Sequence, residues 1–485
     1  MSWIIIAAAI YIVILILVCL RIVFETQSTS KTLAYLLFSI FIPVIGLGFY
    51  LTFGINYWRK KKYDKKSTAD EKILNHLKKS IVQYEKVAIN SADAAKEENA
   101  ELSAMLLKDL GSPLTCGNSV ELFINGEQKF PALMKAIAEA THHIHLEYYI
   151  YEYDKTGTAL VELLIKKAEE GVQVRFIYDD FGSPSIKSKT EKRMQKAGVE
   201  IHPFHKVRFY FLANRINYRN HRKIVVIDGH TAFVGGINVS DKYVNKTDAS
   251  SAKKVFWRDT HIRIDGPAVY YLQYLFMSDW NFCCGGPLKP EDAFFSRAPA
   301  SDQNNYVQVA ASGPDSLLPS VLYSILQAIY LAKEEILITT PYFIPGDSIM
   351  DALCVAALSG LSVKLLVPGI CDSKLVNAAS KSNYNRLLHA GVEIYLYQKG
   401  FVHAKTMVTD GKLSVVGTAN MDYRSFELNF EVNAIIYDAT FGSKLRKVFY
   451  QDCKHAEQID KKLWLSRPGY KQLPEKLARL FSPVL

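Results

Sequence analysis

The 485-residue sequence has no Cys-x-x-Cys pair, and its seven cysteines (Cys19, Cys116, Cys283, Cys284, Cys354, Cys371, Cys453) are odd in number and scattered. That excludes a zinc ribbon and argues against a disulfide framework; the pattern suits reduced thiols facing a cytosol. No charged residue stands between Trp3 and Leu20, and none between Leu33 and Trp58. Residues 67–110 lack both proline and glycine. No stretch gathers the carboxylates that a divalent cation needs, so neither a metal nor another cofactor is expected.

Two charge-free runs so close to the start point to a membrane. A spanning helix needs about 20 apolar residues. The second run reaches that length, and the first reaches it if Arg21 snorkels to the interface. The alternative for the first run is a cleaved signal peptide, but "MSW" supplies no basic leader and no A-x-A site follows. Residues 1–60 are therefore expected to form a transmembrane helical hairpin. The segment "RKKKYDKK", residues 59–66, places six cations directly after it. Such an excess marks the cytoplasmic side, so both ends of the hairpin and the whole remaining chain should lie there. The same cations can draw anionic headgroups close. Residues 61–112 then read as a basic segment and a helical linker. The net charge of +10 suits a partner with negative charge.

The body is a duplication. "KAGVEIHPF" (196–204) matches "HAGVEIYLY" (389–397), and a strand–helix–strand pattern precedes each copy. The fold class expected is α/β. A first repeat spans 113–300 and a second 301–485, each a mostly parallel sheet flanked by helices, packed about a pseudo-twofold axis. The offset is 193 residues at these segments and 182 at the histidines of "NHRKIVVIDG" (220–229) and "VHAKTMVTDG" (402–411). Repeat one thus holds about eleven extra residues, around "RFYFLANRINY" (208–218), which read either as the mouth of a lipid pocket or as a surface loop.

The two copies show which positions are shared. From His221 and His403, Lys223 and Lys405 follow at +2, and Asp228 and Asp410 at +7. Gly235 and Gly417 stand at +14, Gly236 and Thr418 at +15, Asn238 and Asn420 at +17. The +1 position differs, Arg222 in one copy and Ala404 in the other. On a strand i and i+2 share a face, so histidine and lysine point one way and the unshared position the other. Arg222→Ala is accordingly expected to cost far less activity than Lys223→Ala.

Two histidines from two repeats can flank one phosphodiester. A neutral ring attacks phosphorus and forms a phosphohistidine, while a protonated ring supplies the leaving oxygen with a proton. The lysines neutralise the non-bridging oxygens. The aspartates suit holding a histidine's tautomer, and the asparagines suit donating to phosphate. A ring pair sharing one proton near neutral pH would give a bell-shaped pH dependence.

The duplicated H-x-K-x-x-x-x-D followed by G-[GST]-x-N resembles the phospholipase D superfamily over roughly residues 115–485. More narrowly, the chain is similar to the bacterial cardiolipin synthases in its N-terminal hairpin, "FVGGINVSDKY" (233–243), "WRDTHIRIDGPAV" (257–269), "ITTPYFIP" (338–345) and "RSFELNFEVN" (424–433). The resemblance implies one active site between two halves and a ping-pong transfer in which two phosphatidylglycerols give cardiolipin and glycerol. It implies an enzyme of the bacterial inner membrane, multi-pass, catalytic on the cytoplasmic side, with anionic phospholipid and not nucleic acid as its partner. It also implies that an acidic residue supports the histidine of the opposite half: Glu431, and less clearly Asp259. A hydrolytic phospholipase D or another phosphatidyltransferase would use the same chemistry with another acceptor. A membrane-tethered nuclease and a catalytically dead scaffold fit the hairpin and the two complete motifs less well.

Overall fold

The computed structural model describes residues 2–25, 29–42, 46–48, 50, 73–75, 77, 97–186, 188–204, 218–245, 255–284, 288–296 and 304–482. Fifteen strands form one continuous sheet. From the centre outward, repeat one contributes Thr115–Ile124, Thr260–Asp265, Thr231–Gly235, Ile224–Ile227, His143–Tyr148, Gln173–Asp179 and Glu200–Phe204. Repeat two follows the same order with Asn305–Ser312, Glu431–Tyr437, Leu413–Gly417, Thr406–Thr409, Glu335–Thr339, Ser362–Pro368 and Glu393–Tyr397, and adds Ala456–Gln458 at its edge. The first strand of each repeat meets its counterpart antiparallel, Thr115 opposite Val307, so the sheet runs unbroken across the boundary.

The class is α/β, but the sheet is mixed where a mostly parallel one was expected. The outer three strands of repeat one pair in parallel, as do the three strands inside the edge of repeat two, where Ala456–Gln458 adds on antiparallel. The inner strands pair antiparallel. The connections decide this. Helices Lys155–Glu169 and Asp347–Leu358 carry crossovers, which bring the chain back parallel. The two motif strands instead turn tightly at Asp228-Gly229 and Asp410-Gly411, with φ of 50° and 71° in one copy and 55° and 64° in the other. Asp-Gly with both φ positive matches the twist of antiparallel strands.

Apolar side chains fill both faces of the sheet. One core crosses the repeat boundary, packing Val226, Val234 and Ile262 of repeat one with Val307, Val408 and Val416 of repeat two. Full burial of one such side chain stabilises by about 1.5–3 kcal/mol. The halves therefore meet as parts of one core, and side chains at the boundary hold fixed positions.

At the start of the chain, helix Ser2–Glu25 contains a run, Ile5–Phe24, long and apolar enough to cross a membrane. The shorter helix Thr29–Phe41 lays Tyr35 and Leu36 against Val18 and Ile22. Most of the rest of the second expected span, the basic run 59–66, most of the stalk and nearly all of the insert at 208–218 lie outside the described residues. The end of the stalk is the helix Ala100–Leu110. It buries Leu102 and Leu106 in the core of repeat two and stops at Gly111 in the left-handed conformation.

Candidate active site

Each motif histidine stands just before its strand and is fixed by the opposite repeat. The backbone N–H of His221 donates to the Phe430 carbonyl at 3.0 Å, and the N–H of Phe430 donates to the Arg219 carbonyl at 2.8 Å. In mirror fashion the N–H of His403 donates to the Arg258 carbonyl at 2.7 Å, where Gly400–Val402 runs parallel to Phe256–Arg258. Phe430 and Arg258 are the residues directly before Glu431 and Asp259. Each cross-repeat bond thus sets a carboxylate against the other half's ring. His221 Nδ1 lies 2.9 and 3.0 Å from the Glu431 oxygens, and His403 Nδ1 lies 2.7 Å from Asp259 Oδ2. Both histidines are 8% exposed, and both acidic residues are fully buried. A neutral ring whose Nδ1–H faces a carboxylate leaves its Nε2 lone pair outward.

Asp228 and Asp410 do something else. Asp228 accepts the backbone N–H of Thr141, His142 and His143, and Asp410 those of Lys333, Glu334 and Glu335. Each ties the hairpin turn to the start of the neighbouring strand. The expectation that they orient the histidines is corrected. An extended chain advances about 3.3 Å per residue, so a residue seven places on sits at the far end of the strand. Alanine at either position should lower the melting temperature, by about 1–3 kcal/mol of stability for the backbone donors stranded. The turnover of the folded fraction should stay within a few-fold of wild type, which thermal unfolding and kinetics on the same preparation would check.

Each lysine bonds back to its own histidine's main chain. Lys223 Nζ donates to the His221 carbonyl and Lys405 Nζ to the His403 carbonyl, each at 2.6 Å. Lys405 Nζ also stands 3.0 and 3.1 Å from the two nitrogens of His403. Each ring feels the lysine of both repeats. Burial, and then these two charges, hold the His403 imidazole down at about 4 and push that of His221 well below its ordinary value. Burial likewise brings Lys223 down to about 7, partly offset by Glu431, and Lys405 to about 8, partly offset by Asp259. Burial raises Glu431 to about 7. Burial and the lysines thus lower both rings by more than the carboxylates raise them.

The positions further along serve the carboxylates. Thr418 Oγ1 donates to Glu431 Oε2 at 2.5 Å and accepts the Val432 N–H at 3.0 Å. Its counterpart Gly236 has no room for a side chain, because a Cβ there would run into the Asp259 carboxylate. Gly236→Ala should displace Asp259 from His403 and lower turnover by about 10- to 100-fold, the scale of a misplaced catalytic group; wild-type kinetics in that variant would contradict the assignment. Gly235 and Gly417 sit where a Cβ would strike His261 and Asn433 on the adjacent strands. The Asn238 amide accepts the Ile150 N–H at 3.1 Å and donates to the Tyr243 hydroxyl at 2.8 Å, so it braces a loop. Asn420 is buried beside the site.

Arg222 is not a free position. It is buried, forms an ion pair with Asp279 of helix Val269–Cys284, and lies 5.4 Å from the Phe430 ring centroid. Arg222→Ala would strand a buried carboxylate, so its cost falls first on stability. The aromatic frame of the site also escaped the sequence reading. Tyr149 meets the His221 ring edge-on at 4.9 Å, and Trp257, Phe401 and Tyr243 surround His403 at 5.5, 5.8 and 6.1 Å. Scattered aromatics carry no spacing signal. Among the described residues, no group of three or more His, Cys, Asp and Glu side chains is arranged to hold a metal ion.

The family described as "Cardiolipin synthase, PLD-like domain" matches residues 133–252 and 325–453. A cardiolipin synthase of Geobacillus kaustophilus is 40% identical over 471 residues, covering 97% of this chain and 92% of its own. The major cardiolipin synthase of Bacillus subtilis is 39% identical over 483 residues, 98% of each chain. Among solved structures, a phosphatidylserine synthase of Haemophilus influenzae shares the fold, with a TM-score of 0.60 over 81% of this chain and 100% of that one at 13% identity. Sequence likeness over nearly the whole length, on a duplicated sheet that presents two histidine–lysine motifs at one seam, places the chain in the cardiolipin synthase family, whose members form cardiolipin by phospholipase D-type phosphatidyl transfer.

Proposed function

We propose that His221 and His403 act as nucleophile and acid on one phosphatidylglycerol and pass its phosphatidyl group to a second. One Nε2 attacks phosphorus, and the P–O bond to the glycerol headgroup breaks. The other ring, protonated, gives its proton to the departing oxygen, and glycerol leaves. That ring then takes the proton of a hydroxyl on the second phosphatidylglycerol, whose oxygen attacks phosphorus. The N–P bond breaks, cardiolipin departs, and both rings return to their starting state. Lys223 and Lys405 neutralise the non-bridging oxygens. Gly236, Thr418, Glu431 and Asp259 hold the rings; Asp228 and Asp410 hold the strands that carry them.

The observation that carries this reading is the reciprocal pair of carboxylate–imidazole contacts across the repeat boundary. It supports two rings of the same tautomer in one site, each held at Nδ1 by a carboxylate of the other repeat, with Lys405 Nζ 3.1 Å from Nε2 of His403. Lys223, Lys405 and Arg424 all act on His221, a concentration of positive charge that fits an anionic diester. The same reading divides the chain into a membrane part to residue 60, a linker to 112, and repeats to 300 and 485, on a hairpin with the catalytic part on the cytoplasmic side. Purified protein given vesicles of phosphatidylglycerol alone should release cardiolipin and glycerol one to one. Phosphatidic acid as the main product would mean that water, not a lipid hydroxyl, is the acceptor.

The pH dependence follows from the shifted groups. A lysine brought down to about 7 or 8 is charged below that pH and loses its charge as pH rises through it. The alkaline limb of kcat/KM should therefore set in no later than about pH 7 to 8, and the protonated ring that the mechanism needs can only bring it lower. Burial and the lysines hold both rings below the ordinary histidine value near 6.5, so the acid limb lies below that. A bound phosphate raises lysines and rings alike, so the alkaline limb of kcat should sit higher than that of kcat/KM. Rates in mixed micelles across pH 4–10 would check this. A kcat/KM that stays flat to pH 9 would contradict it.

A further inference from the structure

The +1 position after each histidine and the position before each acid lie side by side across the repeat boundary. Beside His221 they hold Arg222 and Phe430, beside His403 Ala404 and Arg258. Both arginines come from repeat one, but beside His221 the arginine follows the histidine, and beside His403 it precedes the acid. The two arginines share two contacts, a helical aspartate and the backbone carbonyl of an acid, while Arg258 Nη1 also donates to Thr260 Oγ1 at 2.9 Å. Arg222 Nη1 pairs with Asp279 on helix Val269–Cys284. Arg258 Nε and Nη2 pair with Asp452 on helix Ala439–Cys453, at 3.0 and 2.9 Å. Arg222 Nε donates to the backbone carbonyl of Glu431 at 3.4 Å, and Arg258 Nη1 donates to the backbone carbonyl of Asp259. Both guanidinium groups are buried, as are both aspartates.

We infer that Arg222–Asp279 and Arg258–Asp452 are equivalent positioning clamps, with the arginine directly after the histidine in one and directly before the carboxylate in the other. Each holds the main chain of the carboxylate that in turn holds a catalytic ring. A guanidinium is suited to this because its planar fork can pair with one carboxylate and still donate to a carbonyl. A lysine in its place has no rigid fork, so it keeps the ion pair and does not hold the carbonyl in the same geometry. Around Arg222 the network also reaches both neighbours of His221. The Arg222 N–H donates to Asn220 Oδ1 at 3.1 Å, and the Asn220 amide donates to buried Glu147. This change of position explains why comparing the repeats position by position marks Arg222 as dispensable: its counterpart is Arg258, not Ala404.

The inference rests on the two-histidine reading, and the test separates the two. Full-length Arg222→Lys, Arg222→Ala, the double variant Arg222→Ala/Phe430→Arg, and His221→Ala are assayed on phosphatidylglycerol micelles, with melting temperature measured on each. Arg222→Lys should melt close to wild type yet lose about 10- to 100-fold in kcat with little change in KM, the scale of a catalytic group displaced by about an ångström. Moving the arginine across the seam in Arg222→Ala/Phe430→Arg copies the arrangement beside His403. It should restore most of the kcat that Arg222→Ala loses. Arg222→Lys with wild-type kcat, or a double variant that regains melting temperature but no kcat, would overturn the clamp. An active His221→Ala enzyme would overturn the two-histidine reading instead.

Discussion

His221→Ala and His403→Ala are each expected to abolish cardiolipin formation, with turnover falling by a factor on the order of 10⁴–10⁶, the range for removing one member of a nucleophile–base pair. The two rings cannot replace one another. Each is clamped by a carboxylate of the other repeat and by a backbone bond to that carboxylate's neighbour, so neither can swing to take the second role. The two losses should not add. Once the nucleophile or the acid is gone the other has no step to serve, so the double variant should be no worse than either single one. Measuring initial rates of all three in one assay checks both points. A single variant keeping a tenth of wild-type turnover would show that the rings do not form one site.

Lys223→Ala and Lys405→Ala should each lower kcat by about 10²–10³, equivalent to about 2.7–4 kcal/mol of transition-state stabilisation. Both ammonium groups are buried and already depressed by that burial, so their charge is retained largely through Glu431 and Asp259 and is poised for an arriving anion. Charge on the non-bridging oxygens grows towards the transition state, which places the loss in kcat more than in KM. The rings give a second readout. Lys405 is one of the groups that hold His403 low, so removing it lets the ring protonate at higher pH. The acid limb of kcat/KM should move upward in Lys405→Ala. An effect confined to KM, with that limb unmoved, would make the lysines simple docking charges.

The sequence carried the duplication, the two histidines and the two lysines, because repeated spacing on a strand is visible in one dimension. It did not carry what crosses the seam. The bonds from His221 to Phe430 and from His403 to Arg258 join residues more than a hundred positions apart, and no local pattern encodes them. For that reason Glu431 and Asp259 came only from resemblance, and Arg222 looked dispensable. Asp228 and Asp410 are a different case, since their signal was present and was read otherwise. "DG" at the end of an apolar run marks a tight hairpin turn. Read that way, it would have shown both the antiparallel inner strands and the structural place of the two aspartates. The shifted pKa values were out of reach for a further reason: burial dominates them, and depth of burial at a seam is a property of the assembled halves.

One measurement bears most directly on a single site shared by two histidines. Wild-type protein mixed rapidly with phosphatidylglycerol carrying labelled phosphorus is quenched within the first turnover, and the label on protein is counted and mapped. A shared site predicts at most one phosphatidyl group per chain, attached to either His221 or His403 and never both, stable to base and labile to acid as a phosphoramidate is. The label should be lost on adding unlabelled phosphatidylglycerol, with labelled cardiolipin appearing in its place. Two labels per chain, or an acid-stable label on another residue, or full turnover with no labelled protein at any time, would contradict it.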